Sequence, residues 1–106
     1  MQLPFEPSTD HTITKAEAAQ LVGAFRSAAT ESEHLSTAFN RTAFDKLLGQ
    51  AGCAGIRIYR ALHTDGTPTM VLVAVDATGQ DLAGPEAVFM QNGTNCPPFC
   101  APVPWL

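Results

Sequence analysis

The stretch from Gly55 to Asp76 reads GIRIYRALHTDGTPTMVLVAVD, and it decides the fold. Two runs rich in β-branched and aromatic residues, which favour a pleated and half-buried surface, flank the dipeptide Asp65-Gly66. Because Asp-Gly is typical of a two-residue hairpin turn, the pattern predicts a long antiparallel β-hairpin in which Thr64 faces Thr67.

The turn also sets the predicted register, which pairs Ile58 with Val73 and Ile56 with Val75. One face of the hairpin then carries Ile56, Ile58, Arg60, Leu62, Val71, Val73 and Val75, and the other carries Arg57, Tyr59, Ala61, His63, Met70, Leu72 and Ala74. Both faces are largely apolar. A sheet exposed to water on one side alternates apolar and polar residues more cleanly, so the pattern predicts cover on both sides.

Length and composition indicate one small domain, residues 1–106, with an extended arm at 1–11 and a tail rich in Pro and Cys at 91–106. Charged residues make up 15% of the chain, against about 25% in typical soluble domains, and apolar residues 45%. A small chain of this kind has reason to bury surface against another copy or a partner. The net charge of −4 and the absence of a basic patch argue against nucleic acid.

The amino-terminal segment has no basic region followed by an apolar run, as a signal peptide would. No apolar stretch approaches the roughly 18 residues that a membrane span needs. We therefore expect a cytoplasmic protein without membrane contact. Thiols normally stay reduced in that compartment.

Two helices precede the hairpin. Thr14-x-x-Glu17 is a capping box that predicts a helix to about Ala29, and Asn40 is a suitable cap for a second helix that Gly52 ends. Apolar residues at helical spacing predict the buried stripes, namely Ala18, Leu21, Val22, Phe25 and Ala28 in the first helix and Phe44, Leu47, Leu48 and Ala51 in the second. In the arm, Leu3 and Phe5 are expected to dock on apolar surface.

The fold class that follows is α+β, with the two amino-terminal helices packed on an antiparallel β-hairpin sheet of two or three strands. Residues 87–90 supply the third strand, and a long Pro-rich loop ends the chain. Two helices cover one face of such a sheet. The other face needs either the Pro-rich tail or a second subunit.

The cysteines are the candidate chemical site. Cys96-Pro-Pro-Phe-Cys100 separates two thiols by three residues, a spacing found in structural zinc sites, and Cys53 lies in a loop of small residues. A zinc site would use Cys53, Cys96 and Cys100, completed by one of His11, His34 or His63. A disulfide within the Pro-Pro segment and cysteines without any such role are the alternatives.

No set of acid, base and nucleophile converges in the sequence, so we expect no enzyme. A nucleophilic role for Cys53 is disfavoured because it follows the carboxyl end of a predicted helix, whose dipole opposes a thiolate.

Three segments carry a resemblance to a known group. They are Gly52 to Tyr59 (GCAGIRIY), Val71 to Asp76 (VLVAVD) and Cys96 to Cys100 (CPPFC). In these the second half of the chain resembles small uncharacterised proteins of Bacteroidetes-type bacteria. The resemblance implies no catalytic role. It implies that the three cysteines form one constellation in a bacterial cytoplasmic protein.

The function that we expect is that of a non-enzymatic small subunit, which self-associates or docks into a larger assembly through its sheet face and termini. The predicted interface residues are Tyr59, Met70, Leu72, Phe99, Trp105 and Leu106. The alternative is a thiol-ligated, zinc-like metal module or a redox module based on the three cysteines.

Overall fold

A computed structural model describes residues 4–30 and 35–101 of the chain. The elements in order are α1 (Lys15–Ala28), β1 (Ser36–Ala38), α2 (Arg41–Leu48), β2 (Gly55–Leu62), β3 (Pro68–Val75), β4 (Phe89–Met90) and β5 (Thr94–Cys96). They divide into two compact units. The hairpin unit comprises the described residues 4–9 and 38–93, and the helix unit comprises the described residues of 10–37 and 94–101.

The strands form two sheets. The larger has the order β2-β3-β4, with both pairs antiparallel, and lies in the hairpin unit. The smaller pairs β1 with β5. Two helices and two antiparallel sheets are consistent with the α+β class.

The predicted architecture of one hairpin sheet under two helices is nevertheless wrong. A second sheet exists, built from the segment between the two helices and from the carboxyl-terminal tail, neither of which was predicted to contain a strand. Only α2 belongs to the hairpin unit, where it packs against β2 and β3. The reason is that β1 and β5 are three residues long each. Segments this short carry no readable periodicity, and long-range backbone pairing decides their structure.

The hairpin itself is confirmed, but its predicted register is wrong by one residue. Ile58 lies opposite Leu72, and Ile56 lies opposite Ala74. The cause is the turn. The His63 N–H donates to Thr67 O over 2.9 Å, so the loop between the paired residues has three members and not two.

The loop is a four-residue turn from His63 to Gly66, whose last residue is a left-handed glycine. The Gly66 N–H donates to His63 O over 2.9 Å, and Gly66 has φ +87°. This is the usual form of a three-residue hairpin connection. A shift of one residue exchanges the faces of one strand relative to the other. As a result Arg57 and Tyr59 share a face with Val71 and Val73.

The core of the hairpin unit is β3 together with one side chain of α2. Residues 72–75 are all buried, and because successive residues in a strand alternate between faces, both faces of this half of β3 are covered. Leu47 of α2 is 0% exposed. The cap of α2 is confirmed, since Asn40 Oδ1 accepts from the Ala43 N–H over 2.9 Å. The helix ends at Leu48, three residues short of Ala51 in the predicted stripe.

In α1 the predicted ends are confirmed, and the predicted burial is wrong. Thr14 and Glu17 form the capping box, and the helix ends at Ala28. None of its residues is buried, and Leu21 is 64% exposed. The apolar stripe of an amphipathic helix is buried only where another apolar surface packs against it. Among the described residues, neither helix is long and apolar enough to cross a membrane.

The amino-terminal arm contributes one aromatic ring to the hairpin unit. A Cβ placed on Gly55 would lie 3.1 Å from Phe5 Cζ, and one placed on Gly79 would lie 3.0 Å from Phe5 Cβ. Phe5 thus lies directly over two glycines, in agreement with the docking predicted for it. Leu3 lies outside the described residues.

Candidate docking edge and cysteine loop

β2 is an edge strand. It pairs with β3 on one side, and no strand of the described chain pairs with its other side. Every second residue of an antiparallel strand turns its N–H and C=O away from its neighbour, so an edge strand offers unmade backbone hydrogen bonds. β2 is eight residues long and contains no proline. We call this free side the outer edge of β2.

Apolar side chains lie along this edge. Ile58 is 59% exposed and Leu62 is 72% exposed, and both point to the same face because they are four residues apart in a strand. Arg60 lies between them and is also exposed. Natural edge strands are commonly protected by charge, proline or a bulge. Here one arginine supplies the charge on this face.

The opposite face of β2 carries a polar cluster. Asp81 accepts one hydrogen bond from Arg57 Nη1 at Oδ1 and one from the Tyr59 hydroxyl at Oδ2. Asp81 also forms an isolated antiparallel bridge with Val75, the last residue of β3. The cluster therefore ties the segment after β3 to the face of β2.

The electrostatics of the cluster follow from these two bonds. The hydrogen bond from Tyr59, and secondarily the Arg57 guanidinium, lower the pKa of Asp81. Donation to Asp81 raises the pKa of Tyr59, and the same carboxylate raises the pKa of Arg57. Each shift stabilises the state present at neutral pH, so the cluster holds an ion pair and does not favour proton transfer.

Sequence reasoning missed this cluster. Arg57 and Tyr59 were placed together on one face, which was correct, but Asp81 was not recognised as their partner. The available signal was weak: an acidic residue shortly after the second strand, within reach of a cationic and a phenolic group on the first. The turn at Asp76 decides which acidic residue reaches Arg57 and Tyr59. The Asp76 carboxylate accepts from the N–H groups of Thr78 and Gln80 over 2.9 and 3.0 Å, and this leaves Asp81 as their partner.

The second candidate site is the loop after β5. Cys96 and Cys100 form a disulfide across a Cα–Cα distance of 4.6 Å. Cys96 is 5% exposed, whereas Cys100 is exposed. The Pro97, Pro98 and Phe99 side chains between them are exposed as well. We call residues 96–100 the cysteine loop.

The third cysteine belongs to the other unit. Cys53 is a half-buried free thiol whose Sγ donates to Gly55 O over 3.3 Å. Of the three histidines, His34 lies outside the described residues. Within residues 4–30 and 35–101, no three His, Cys, Asp or Glu side chains are grouped to hold a metal ion. The metal site of Cys53, Cys96 and Cys100 thus stays a prediction, and it requires the disulfide to be reduced.

The predicted interface residues differ in their exposure. Tyr59 and Phe99 are exposed, and Met70 is half-buried. Leu72 is buried in the core of the hairpin unit, so no partner can reach it. Trp105 and Leu106 lie outside the described residues. Ile58 and Leu62 were not among the predicted interface residues, since Tyr59, Met70 and Leu72 were all predicted on the opposite face of the hairpin.

Comparison of the chain with protein-family models, curated proteins and solved structures finds no significant match. The resemblance of the GCAGIRIY, VLVAVD and CPPFC segments to small bacterial proteins therefore stays a prediction.

Proposed function

We propose that the protein is a non-enzymatic small subunit that self-associates through the outer edge of β2. The observation that carries the proposal is an eight-residue edge strand without proline that exposes Ile58 and Leu62 on one face. The proposal includes a cytoplasmic location and no role for nucleic acid or membrane. Docking into a larger assembly through the same edge is the rival outcome of the test.

A second copy suits this edge because β2 is self-complementary in an antiparallel arrangement. When Tyr59 lies opposite Tyr59 of a second copy, Ile56 faces Leu62 of that copy. The same register sets Ile58 against Arg60 of the second copy. Cross-strand aromatic and aliphatic pairs of this kind stabilise a sheet by about 0.2–1 kcal/mol each.

The neighbouring register is disfavoured by charge. A shift that sets Ile58 against Leu62 of the second copy also sets Arg60 against Arg60, and like charges directly opposite each other destabilise a sheet. Arg57 adds no such repulsion because Asp81 neutralises it. The charge pattern therefore favours the Tyr59-centred register over the Arg60-centred one, and this pairing would join two three-stranded sheets into one.

The test is the native mass, measured by light scattering and sedimentation over a range of protein concentrations. We expect a dimer, and we expect Leu62→Lys and Ile58→Lys to weaken it by about tenfold or more, which corresponds to about 1.4 kcal/mol. Leu48→Lys is the matched control. This leucine is also exposed in the hairpin unit, but it lies on α2 and not on the edge strand.

The decisive outcome against the proposal is a wild-type protein that stays monomeric at the highest soluble concentration. A dimer that Leu48→Lys disrupts as much as Leu62→Lys does would also contradict it. If wild-type protein is monomeric but is recovered with a larger assembly that Leu62→Lys abolishes, the edge serves a different partner.

The second candidate function is the thiol-based metal or redox module, and the Cys96–Cys100 disulfide favours its redox form. In the cytoplasm a disulfide is normally transient and engaged in catalysis or redox sensing. The test is metal analysis together with a thiol count before and after reduction. One free thiol before reduction and three after it support the redox form; three free thiols and no metal in freshly purified protein exclude both forms.

A further inference from the structure

We propose that the cysteine loop is a thiol–disulfide exchange site with a fixed polarity, in which a low-molecular-weight thiol attacks Cys100 and Cys96 is the leaving sulfur. The inference rests on the redox form of the second candidate function. It is independent of self-association, because the cysteine loop and β2 belong to different units.

The polarity follows from the unequal burial of the two cysteine residues. Exchange begins when a thiolate reaches one sulfur of the disulfide, so access decides which sulfur is attacked. Cys96 is 5% exposed, while Cys100 and its neighbour Phe99 are exposed, Phe99 by 72%. An incoming thiol therefore meets Cys100 from solvent, whereas Cys96 is shielded.

The backbone around Cys96 remains anchored when the disulfide opens. Cys96 is the last residue of β5, and its carbonyl accepts from the Leu35 N–H over 2.7 Å. The residue before it, Asn95, accepts from the Thr37 hydroxyl over 2.8 Å and from the Phe99 N–H over 3.0 Å. The last of these bonds closes the turn that carries the loop back toward Cys96. Cys96 thus keeps its position beside the loop and serves as the resolving thiol.

The step balances as a two-electron exchange. The thiolate of the small thiol forms a bond to Cys100 Sγ, the Cys96–Cys100 bond breaks, and its electron pair leaves on Cys96 Sγ, which takes up a proton. A second small-thiol thiolate then attacks the mixed disulfide at the small-thiol sulfur, which frees Cys100 and releases the oxidised small thiol. In the reverse direction the Cys100 thiolate attacks the oxidised small thiol, forms the mixed disulfide and releases one reduced small thiol. The Cys96 thiolate then attacks Cys100 Sγ, restores the Cys96–Cys100 bond and releases the second reduced small thiol.

The loop offers this chemistry an uncharged surface. Residues 91–101 contain no acidic or basic side chain, although the chain as a whole carries a net charge of −4. A small anionic thiol therefore meets no like charge from the loop itself. Glutathione is the probe of choice because it is a low-molecular-weight thiol of this kind.

The experiment traps the first adduct. Oxidised wild-type protein is exposed briefly to reduced glutathione, quenched with an alkylating agent, and mapped by peptide mass. We expect the glutathione adduct on Cys100 and the alkyl group on Cys96. The two single variants Cys96→Ser and Cys100→Ser, exposed to oxidised glutathione, should differ several-fold in rate, with the thiol of Cys100 reacting faster. Cys53, half-buried in the other unit, provides an internal reference in each sample.

Failure of the polarity and failure of the redox candidate give different results. An intact disulfide whose adduct lies on Cys96, or on both sulfurs equally, overturns the polarity alone. Three alkylated cysteines without any reductant overturn the redox candidate as a whole. The trapping arm needs no variant, so it decides the question even if a serine substitution prevents folding.

Discussion

The two helices of this protein have similar sequence signals but differ in how deeply they are buried. α1 has a capping box and an apolar stripe over 14 residues, yet none of its residues is buried. α2 is eight residues long and buries Leu47 completely. An N-cap residue and the helical spacing of apolar residues thus predict that a helix exists, but the burial of that helix depends on the surface that packs against it.

That surface differs between the two units. The hairpin unit provides an eight-residue central strand, β3, whose second half is buried on both faces. The helix unit provides two strands of three residues each. An isolated helix of the length of α1 is marginal in water. We therefore expect the hairpin unit to hold most of the stability of the chain, and the following predictions test this contrast.

The largest expected effect is that of removing the buried leucine. Leu47→Ala should lower the free energy of unfolding by about 2–5 kcal/mol, because it removes a fully buried side chain and leaves a cavity. Leu21→Ala, at an exposed position of α1, should change it by less than about 0.5 kcal/mol. Urea denaturation followed by circular dichroism measures both. Equal losses would show that α1 is as well packed as α2.

A pair of glycine substitutions should have opposite signs in the two units. Gly79 has φ +86° and lies against Phe5, so Gly79→Ala should destabilise the hairpin unit by about 1–2 kcal/mol. Gly23 lies inside α1 with nothing within 4 Å of an added Cβ. Gly23→Ala should therefore stabilise α1 by about 0.5–1 kcal/mol. Thermal unfolding monitored at 222 nm reports both changes, and a stabilising Gly79→Ala would contradict the contact with Phe5.

The helix caps give a smaller and more local contrast. Asn40→Ala should cost about 1 kcal/mol of global stability, since α2 unfolds together with the sheet that it covers. Thr14→Ala removes an equivalent bond, over 3.1 Å to the Glu17 N–H. In that variant we expect reduced hydrogen-exchange protection confined to α1, with an unchanged global urea midpoint. A shift of the urea midpoint as large as that of Asn40→Ala would show instead that the two units unfold together as one cooperative unit.

The pH dependence is the smallest effect. Asp81 has a lowered pKa in the folded protein, so its bonds to Tyr59 and Arg57 stabilise the fold above the ordinary aspartate value of 3.8. That contribution is lost as the pH falls from this value through the lowered pKa. Asp81→Asn should flatten the acid limb of the stability curve of the hairpin unit. The control is Asp10→Asn in the helix unit, where a hydrogen bond from Thr12 lowers the aspartate pKa, and it should leave that limb unchanged.

Local chemistry explains which parts of the fold the sequence predicts. Thr14 and Asn40 cap the helices as expected, because a cap involves residues three positions apart. The hairpin was also predicted, as was a short third strand, β4. The register was missed because Asp65-Gly66 is compatible with both a two-residue turn and the last two positions of a three-residue loop.

Non-local pairings explain the rest. β1 joins β5 through residues 58 positions apart in the chain, as the bond between Thr37 and Asn95 shows. No propensity reveals such a pair in segments of three residues. The two candidate sites were likewise predicted only where local sequence decides them. The loop spacing of Cys96 and Cys100 allowed a disulfide as one of three alternatives, while the exposure of Ile58 and Leu62 depends on which elements cover the sheet and is seen only in the structure.

The pairing of β1 with β5 has a consequence for how the chain is made and rearranged. Since Thr37 and Asn95 are hydrogen bonded, the intervening segment leaves and returns at nearly the same place, as an inserted module does. During synthesis the inserted segment can fold while its host still lacks a strand, because β5 leaves the ribosome after β4. The two ends of the segment between Thr37 and Asn95 are therefore close enough for a short linker to join them covalently.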